Sequence, residues 1–224
     1  MALDKVAIVG GTGDLGFALA CRWAKAGLHV VIGSRERSKA EEAVARLQER
    51  VPGCSAEGLD NPAAAEACDV VVVAIPFSGL IAIYKSIAEH LRPDAIVIDA
   101  TVPVEASVGG KATHVFGVWE GSAAQLGLAF LPKGTTMCAA FHTLSASALN
   151  DLDRPVLGDV PVCGRKVGKS IVRELVDAIP DLRFVDAGPI ENARIVEPIT
   201  ALLIGMNHRY GTDRAGISFT GLPD

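Results

Sequence analysis

Two kinds of hydrophobic pattern alternate along the chain. Short apolar runs, Val6–Val9, His29–Ile32, Val70–Ile75 and Ala95–Ala100, are separated by stretches in which apolar residues recur every three or four positions. The first kind suits strands buried on both faces of a parallel sheet, the second helices with one apolar side. Leu15, Ala18, Leu19, Trp23 and Ala26 mark one helix, which stops at Gly27. Ala40, Val44, Leu47 and Val51 mark another, from Glu36 to the break at Pro52-Gly53. Ser55–Leu59 reads as a weak strand, Asn61-Pro62 opens a brief alanine-rich helix, and Phe77–Leu91 forms the next helix. Val104–Val118 is glycine-rich and irregular, a loop, and Glu120–Phe130 is helical. Strands follow at Thr136–Phe141, Asp159–Gly164 and Arg183–Ala187, with an amphipathic helix at Lys166–Ile179. Glu191 to His208 reads as one long helix with Ile195, Ile199, Leu202 and Met206 on its apolar face. This alternation predicts an α/β fold built on a doubly wound parallel sheet.

The first strand runs straight into Gly11-x-Gly13-x-x-Gly16, and a helix and a second strand follow. That context turns a weak glycine pattern into a dinucleotide-binding, Rossmann-like turn. Gly11 permits the tight turn, Gly13 admits the pyrophosphate to the backbone, and Gly16 lets the helix lie close on the sheet. The helix N-terminus supplies unpaired N–H groups and the positive end of a dipole. Thr12 donates to phosphate, and Asp14 forms the turn and caps the helix.

The tip of the second strand selects the dinucleotide. An NAD site carries an acid there to accept from the ribose hydroxyls. Here the strand ends in Ser34-Arg35, with Arg37 and Lys39 close behind. Ser34, Arg35 and Lys39 are expected to hold the 2′-phosphate of NADP. Glu36 belongs to the first turn of the next helix, where its charge favours the dipole, and Arg37 belongs to that helix's solvated face. Residues 1–150 then form the NADP-binding domain, and 151–224 form a smaller C-terminal α/β lobe that completes the acceptor cleft without folding alone. Ligands collect at the carboxyl ends of such strands, so Ile75-Pro76-Phe77 and Thr101-Val102-Pro103 are expected along the cleft.

Composition narrows the partners. Half of the 224 residues are apolar, 21% are charged, and the net charge of −5 offers no basic surface for nucleic acid or membrane. The five cysteines are dispersed without a Cys-x-x-Cys pair, which reads as reduced thiols in a cytoplasmic protein and neither a disulfide framework nor a metal site. The N-terminal residues lead directly into a strand, so no signal peptide is expected, and no apolar run reaches membrane-spanning length.

Catalytic side chains are scarce. There is no His-x-x-x-His pair, no Gly-x-Ser-x-Gly elbow, and neither tyrosine, Tyr84 or Tyr210, is followed by Lys four positions on. The stretch after the last strand is too short for the helical lobe with a catalytic lysine that hydroxy-acid dehydrogenases add. His142, leaving a strand with Thr143 and Leu144, is the one site-like titratable residue; it reads either as a packed histidine or as part of the site.

Taken together, the chain resembles the NADPH-dependent coenzyme F420 reductases. The resemblance rests on Gly-Gly-Thr-Gly-Asp-Leu-Gly at 10–16, Gly-Ser-Arg at 33–35, Ala-Glu-Ala-Cys-Asp at 65–69 and Ile-Pro-Phe at 75–77. It continues with Val-Pro-Val at 102–104, Val-Pro-Val-Cys-Gly at 160–164 and Asp-Ala-Gly-Pro at 186–189. It implies NADP contacts at Thr12, Gly13, Asp14, Leu15, Ser34, Arg35, Lys39, Ile75, Val102, Ala146 and Ala215. His142, Thr143 and Leu144 are expected beside the acceptor, F420 as co-substrate. It further implies direct hydride transfer between stacked rings with no catalytic side chain, no metal, and a homodimer. The stretch Glu105–Gln125 is longer and differently composed than the resemblance predicts. A ferric or flavin reductase, or an NADPH-sensing module without turnover, therefore stays open at this point.

Overall fold

The structure, a computed structural model, describes residues 3–223. Eight strands form one sheet in the order β3-β2-β1-β4-β5-β6-β7-β8. In chain order these are β1 (Lys5–Val9), β2 (His29–Ser34), β3 (Ala56–Asp60), β4 (Val70–Val73), β5 (Ile96–Asp99), β6 (Thr136–Ala139), β7 (Gly158–Gly164) and β8 (Leu182–Asp186). From β3 to β6 every pairing is parallel. The four valines of β4 are buried at the sheet's centre, as a β-branched run covered on both faces must be.

The connecting helices are α1 (Asp14–Lys25), α2 (Arg37–Arg50), α3 (Asn61–Ala67), α4 (Leu80–Ile87), α5 (Ala123–Leu128), α6 (Ala146–Asn150), α7 (Lys166–Asp177), α8 (Ala193–Val196) and α9 (Ile199–Tyr210). One apolar core, on the face carrying α1 and α7, contains Ile8, Trp23, Ile32, Ile98, Val160 and Leu175. The opposite core contains Val9, Val71, Leu80, Tyr84, Val97 and Cys163. Trp23 anchors the first core by donating from its indole nitrogen to the Leu175 carbonyl at 2.9 Å.

The fold differs from the sequence reading in four places. β7 runs antiparallel to β6, through Cys138↔Gly164 and Ala139↔Cys163, and carries β8 with it. The C-terminal strands thus extend the same sheet with reversed direction, a property of tertiary pairing that no local pattern encodes. The helix expected over 77–91 is split, with 3-10 turns at Phe77–Gly79 and Ala88–His90. The long helix expected over 191–208 is broken at Pro198 into α8 and α9. Its expected core face is mostly on the surface: Ile195, Leu202 and Met206 are exposed and Ile199 packs, half-buried, against the core, whereas Ala193, Val196, Ala201 and Leu203 are buried. α6 follows the turn after β6 without having been anticipated. Arg22 holds this region in place by donating to the carbonyls of Leu149, Ala148, Asp151 and Arg154 at 2.5–3.1 Å.

Candidate active site

The glycine turn lies between β1 and α1, at the point where the strand order reverses from β1 to β4, the usual crevice of such sheets. Gly10 has φ +77°, and a Cβ there would meet the Ala74 carbonyl oxygen at 2.6 Å. At Gly16 a Cβ would meet the Gly10 oxygen and the Gly11 Cα, both at 2.9 Å, so α1 can approach the turn only without a side chain. Asp14 is not the cap that the sequence suggested. Gly13 takes the N-cap position, and no side chain bonds the first N–H groups of α1. Asp14 is instead the first helical residue and exposed, which leaves those donors facing the crevice.

Thr12, Gly13, Ser34, Arg35, Lys39 and Ile75 line one cleft of about 400 Å³, together with Pro76, Ser78 and Asn61. Ser34 is buried at the tip of β2, and Arg35 makes no contact-distance ion pair among the described residues. Lys39 pairs with Glu36 at 2.9 Å, both side chains more than half exposed. Glu36 is therefore the residue flanking α2, not part of its first turn, and the Lys39 hydrogen bond holds its carboxyl below the usual range. Asn61 escaped the sequence reading. Its buried side chain accepts from the Gly10 N–H at 3.2 Å and pins the turn from the end of β3. Asp60, capping α3 through the Ala63 N–H at 2.9 Å, sets the start of that helix.

A second, smaller cavity of about 180 Å³ brings together Thr143, Leu144 and Ser145 with Arg214, Ala215 and Gly216. These residues are more than sixty positions apart, and the C-terminal tail closes the distance. The Ala215 N–H donates to the Asn207 side chain at 2.9 Å, and Arg214 pairs with Asp151 at 2.7 Å. Asp159 holds the tail further on, accepting from Arg183 at 2.8 and 2.7 Å and from the Phe219 N–H at 2.5 Å. Asp14, Leu15, Val102 and Ala146 line neither cavity: Asp14 and Leu15 open α1, Val102 follows β5, and Ala146 opens α6. A larger cavity, about 610 Å³, opens at the far end of β6 beside Lys133, Arg165 and Ile190, and no candidate residue reaches it.

The turn leaving β6 is strained and unpaired. Phe141, buried and stacked edge-on against Trp23 at 5.4 Å, has φ +68°, a conformation that bulky residues rarely adopt. His142 follows it, 3% exposed, with neither ring nitrogen hydrogen-bonded among the described residues. Burial pushes its pKa down to about 4, so the ring is neutral near pH 7. The Thr143 hydroxyl is also buried without a partner among the described residues, whereas the Thr101 hydroxyl, at the exit of β5, lies against the Asp99 carboxyl. Buried polar atoms left unpaired at the carboxyl end of β6 fit a polar ligand laid across it.

Two buried acids frame these turns, and neither was singled out in the sequence. Asp99 ends β5, accepting from the Tyr84 hydroxyl and from the Thr101 N–H, the latter at 2.7 Å. Burial raises its pKa to about 6 against those hydrogen bonds. Glu197 lies between α8 and α9 and accepts from the Ala123 and Ala124 N–H groups at 2.8 and 3.1 Å. Burial, and then the charge of Asp99, push it up to about 8. Asp99 was hidden in an apolar strand run and Glu197 in a presumed continuous helix. Among the described residues no group of three His, Cys, Asp or Glu could hold a metal ion, and no helix is long and apolar enough to cross a membrane.

Residues 5–103 match the family described as NADP oxidoreductase, coenzyme F420-dependent. Over nearly its whole length the chain is similar to the F420-dependent NADP reductase of Methanothermobacter thermautotrophicus, at 42% identity across 98% of this chain and 96% of that protein. The chain belongs to the coenzyme F420-dependent NADP oxidoreductase family. The F420-dependent NADP reductase of Methanocaldococcus jannaschii is 39% identical across 97% and 99% of the two chains. Among solved structures, one from Arthrobacter sp. FB24 superposes with a TM-score of 0.81 at 22% identity, covering 98% of this chain and all of that one. A Mycobacterium tuberculosis 3-hydroxyisobutyrate dehydrogenase superposes at 0.60 and 14% identity, with 94% of this chain matching 67% of that one. At these identities the two structures speak for the fold alone.

Proposed function

We propose that this chain carries out the family's reaction on the cleft described above. It is an oxidoreductase that transfers a hydride between NADP(H) and the deazaflavin coenzyme F420. The observation that carries this reading is a nucleotide cradle and an unpaired acceptor turn at one end of one sheet, in a chain matching F420-dependent NADP reductases throughout.

When bound, the nicotinamide supplies the hydride chemistry, and the protein's part is binding and alignment. Thr12 and the opening residues of α1, Asp14 and Leu15, present N–H groups to the pyrophosphate, while Gly13, whose N–H is held by the Gly10 carbonyl at 3.0 Å, lets it approach the backbone without a side chain in the way. Ser34 and Arg35 bind the 2′-phosphate, with Lys39 as a weaker partner because Glu36 already engages it. Ile75 and Val102 pack along the nucleotide, and Ala146 and Ala215 border it on the acceptor side. Thr143 and Leu144 set the spacing of the rings, and the neutral, buried His142 offers a hydrogen bond without taking a proton. Residues 1–150 bind the nucleotide and 151–224 close the acceptor side, and the shared core supports their folding as one unit.

We further assign a homodimer in the cytoplasm. The uncovered apolar stripe Ile195, Leu202, Met206 and Tyr210 supports a second copy as its cover, and five free thiols support a reducing compartment. The deciding experiment mixes the protein with NADPH and, separately, F420, FMN and Fe(III), and follows oxidation of NADPH. Rapid transfer to F420 alone, with a primary isotope effect from deuterated NADPH, is expected. Faster reduction of FMN or iron, or no turnover, would overturn the reading.

A further inference from the structure

We infer that Glu197 is a positioning residue for the acceptor side of the cleft, acting through Thr200 on the turn at His142. The inference rests on the reaction proposed above and adds to it a residue outside both cavities.

Glu197 is 1% exposed and reaches in two directions. Its carboxylate takes the N–H groups of Ala123 and Ala124 at 2.8 and 3.1 Å, fastening α5. Its own carbonyl accepts from the Thr200 N–H at 3.2 Å, and the Thr200 hydroxyl donates to the His142 carbonyl at 2.7 Å. An unbroken line of hydrogen bonds therefore runs from α5, through the α8–α9 junction, to the strained turn that leaves β6. Capping alone does not account for a buried acid here. Ser122 already caps α5 through the Gln125 N–H at 3.0 Å, and a neutral side chain would take a further N–H without the cost of burying a carboxyl. What the carboxyl group adds, even when protonated, is reach and two oxygens on one residue, each meeting one N–H of α5, which anchors the turn from which Thr200 presents its hydroxyl.

The same line accounts for the long stretch between β5 and α5. That stretch is closed on itself by the Val104↔Val115 bridge and tied to the nucleotide side by Phe116 against Phe77, with ring centroids 6.1 Å apart. Glu197 ties its far end to the acceptor side. The stretch thus spans the cleft and connects the two turns between which the rings must stack.

The test is single-turnover hydride transfer from NADPH to F420 in wild type, Glu197→Gln, Thr200→Val, their double variant, and Leu175→Ala, in the core beneath α7, as a control that lowers stability without touching the line. Glu197→Gln keeps the volume but offers one acceptor in place of two. Both single variants should slow transfer about tenfold with KM for NADPH within about twofold, and the double variant should be no slower than either. Leu175→Ala should keep the wild-type rate while lowering Tm. Additive losses in the double variant, or a Leu175→Ala rate loss equal to that of Glu197→Gln, would reduce Glu197 to a merely structural role and overturn the inference. Should Glu197→Gln fail to fold, a wild-type rate in Thr200→Val overturns it equally. Wild-type protein that transfers nothing to F420 would refute the proposed reaction and this inference with it.

Discussion

The two regions proposed to hold the nucleotide and the acceptor are built from different materials. At the proposed nucleotide end, residues 10–16 and 34–39 supply backbone donors, a hydroxyl and two cations from one contiguous βαβ unit; the Gly10, Gly11 and Gly13 N–H groups are taken up in holding the turn and Lys39 by Glu36, which leaves the first N–H groups of α1 and the Arg35 guanidinium open among the described residues. At the proposed acceptor end, Thr101, His142 and Leu144, Thr200, and Ala215 come from four separate stretches and are held by side chains reaching across the fold. The first end is rigid by local geometry: Gly10 and Gly16 admit no substituent. The second is rigid by long-range bonds, and it carries the backbone strain of Phe141 and the buried unpaired polar atoms. A site that must accept a common nucleotide can be local. A site that must set the distance between two rings needs walls from several elements.

The sharpest way to break the nucleotide end is Gly10→Ala. It forces a side chain into a left-handed conformation and against the Ala74 carbonyl, so a loss of about 2–5 kcal/mol in stability is expected, read by denaturant unfolding. Binding of NADPH should vanish together with it.

The acceptor end should betray itself through pH. His142 has a folded pKa of about 4, below its ordinary 6.5, so between these values the unfolded chain holds more protons than the folded one. Stability from this group is full above about pH 6.5 and is lost as pH falls toward 4, by about 3 kcal/mol at the low end. His142→Gln should remove that slope, so that the difference in unfolding free energy between the two proteins changes over this window. A constant difference would mean that the ring is not held neutral.

A smaller effect separates the two cations at the tip of β2. Arg35→Ala should lose a charge-assisted contact of about 1.5–3 kcal/mol, seen as a raised KM for NADPH and an unchanged one for NADH. Lys39→Ala should cost under about 1 kcal/mol, because the side chain is exposed and already paired with Glu36. Equal losses at both positions would erase the distinction.

In rate instead of affinity, Leu144→Gly should slow the hydride step about tenfold, about 1.4 kcal/mol of barrier, while leaving NADPH affinity unchanged. A change in affinity without a change in rate would move Leu144 from the acceptor end to the nucleotide end.

How much of this was legible in the sequence follows the same division. The βαβ unit, the glycine turn and the cationic tip at Ser34-Arg35 were readable because their partners lie within one supersecondary unit. Strand runs gave β4 and β5 for the same reason: a residue's burial there is dictated by its immediate neighbours in the pattern. The later motifs also carried the resemblance to the family that the full-length relatives bear out.

Tertiary structure decided the rest. The stripe Ile195, Leu202 and Met206 has helical spacing, yet periodicity says only that a helix has an apolar side, not which side the fold covers, and here the fold covers the other one. Asn61, Asp99 and Glu197 are polar residues whose roles exist only once a distant N–H or hydroxyl arrives beside them. The reversal at β7 and the meeting of Leu144 with Ala215 likewise depend on pairings between residues far apart in the chain. Local sequence sets dihedral preference and spacing, and it determined the nucleotide half. Long-range burial and hydrogen bonding choose which separated segments meet, and they determined the acceptor half.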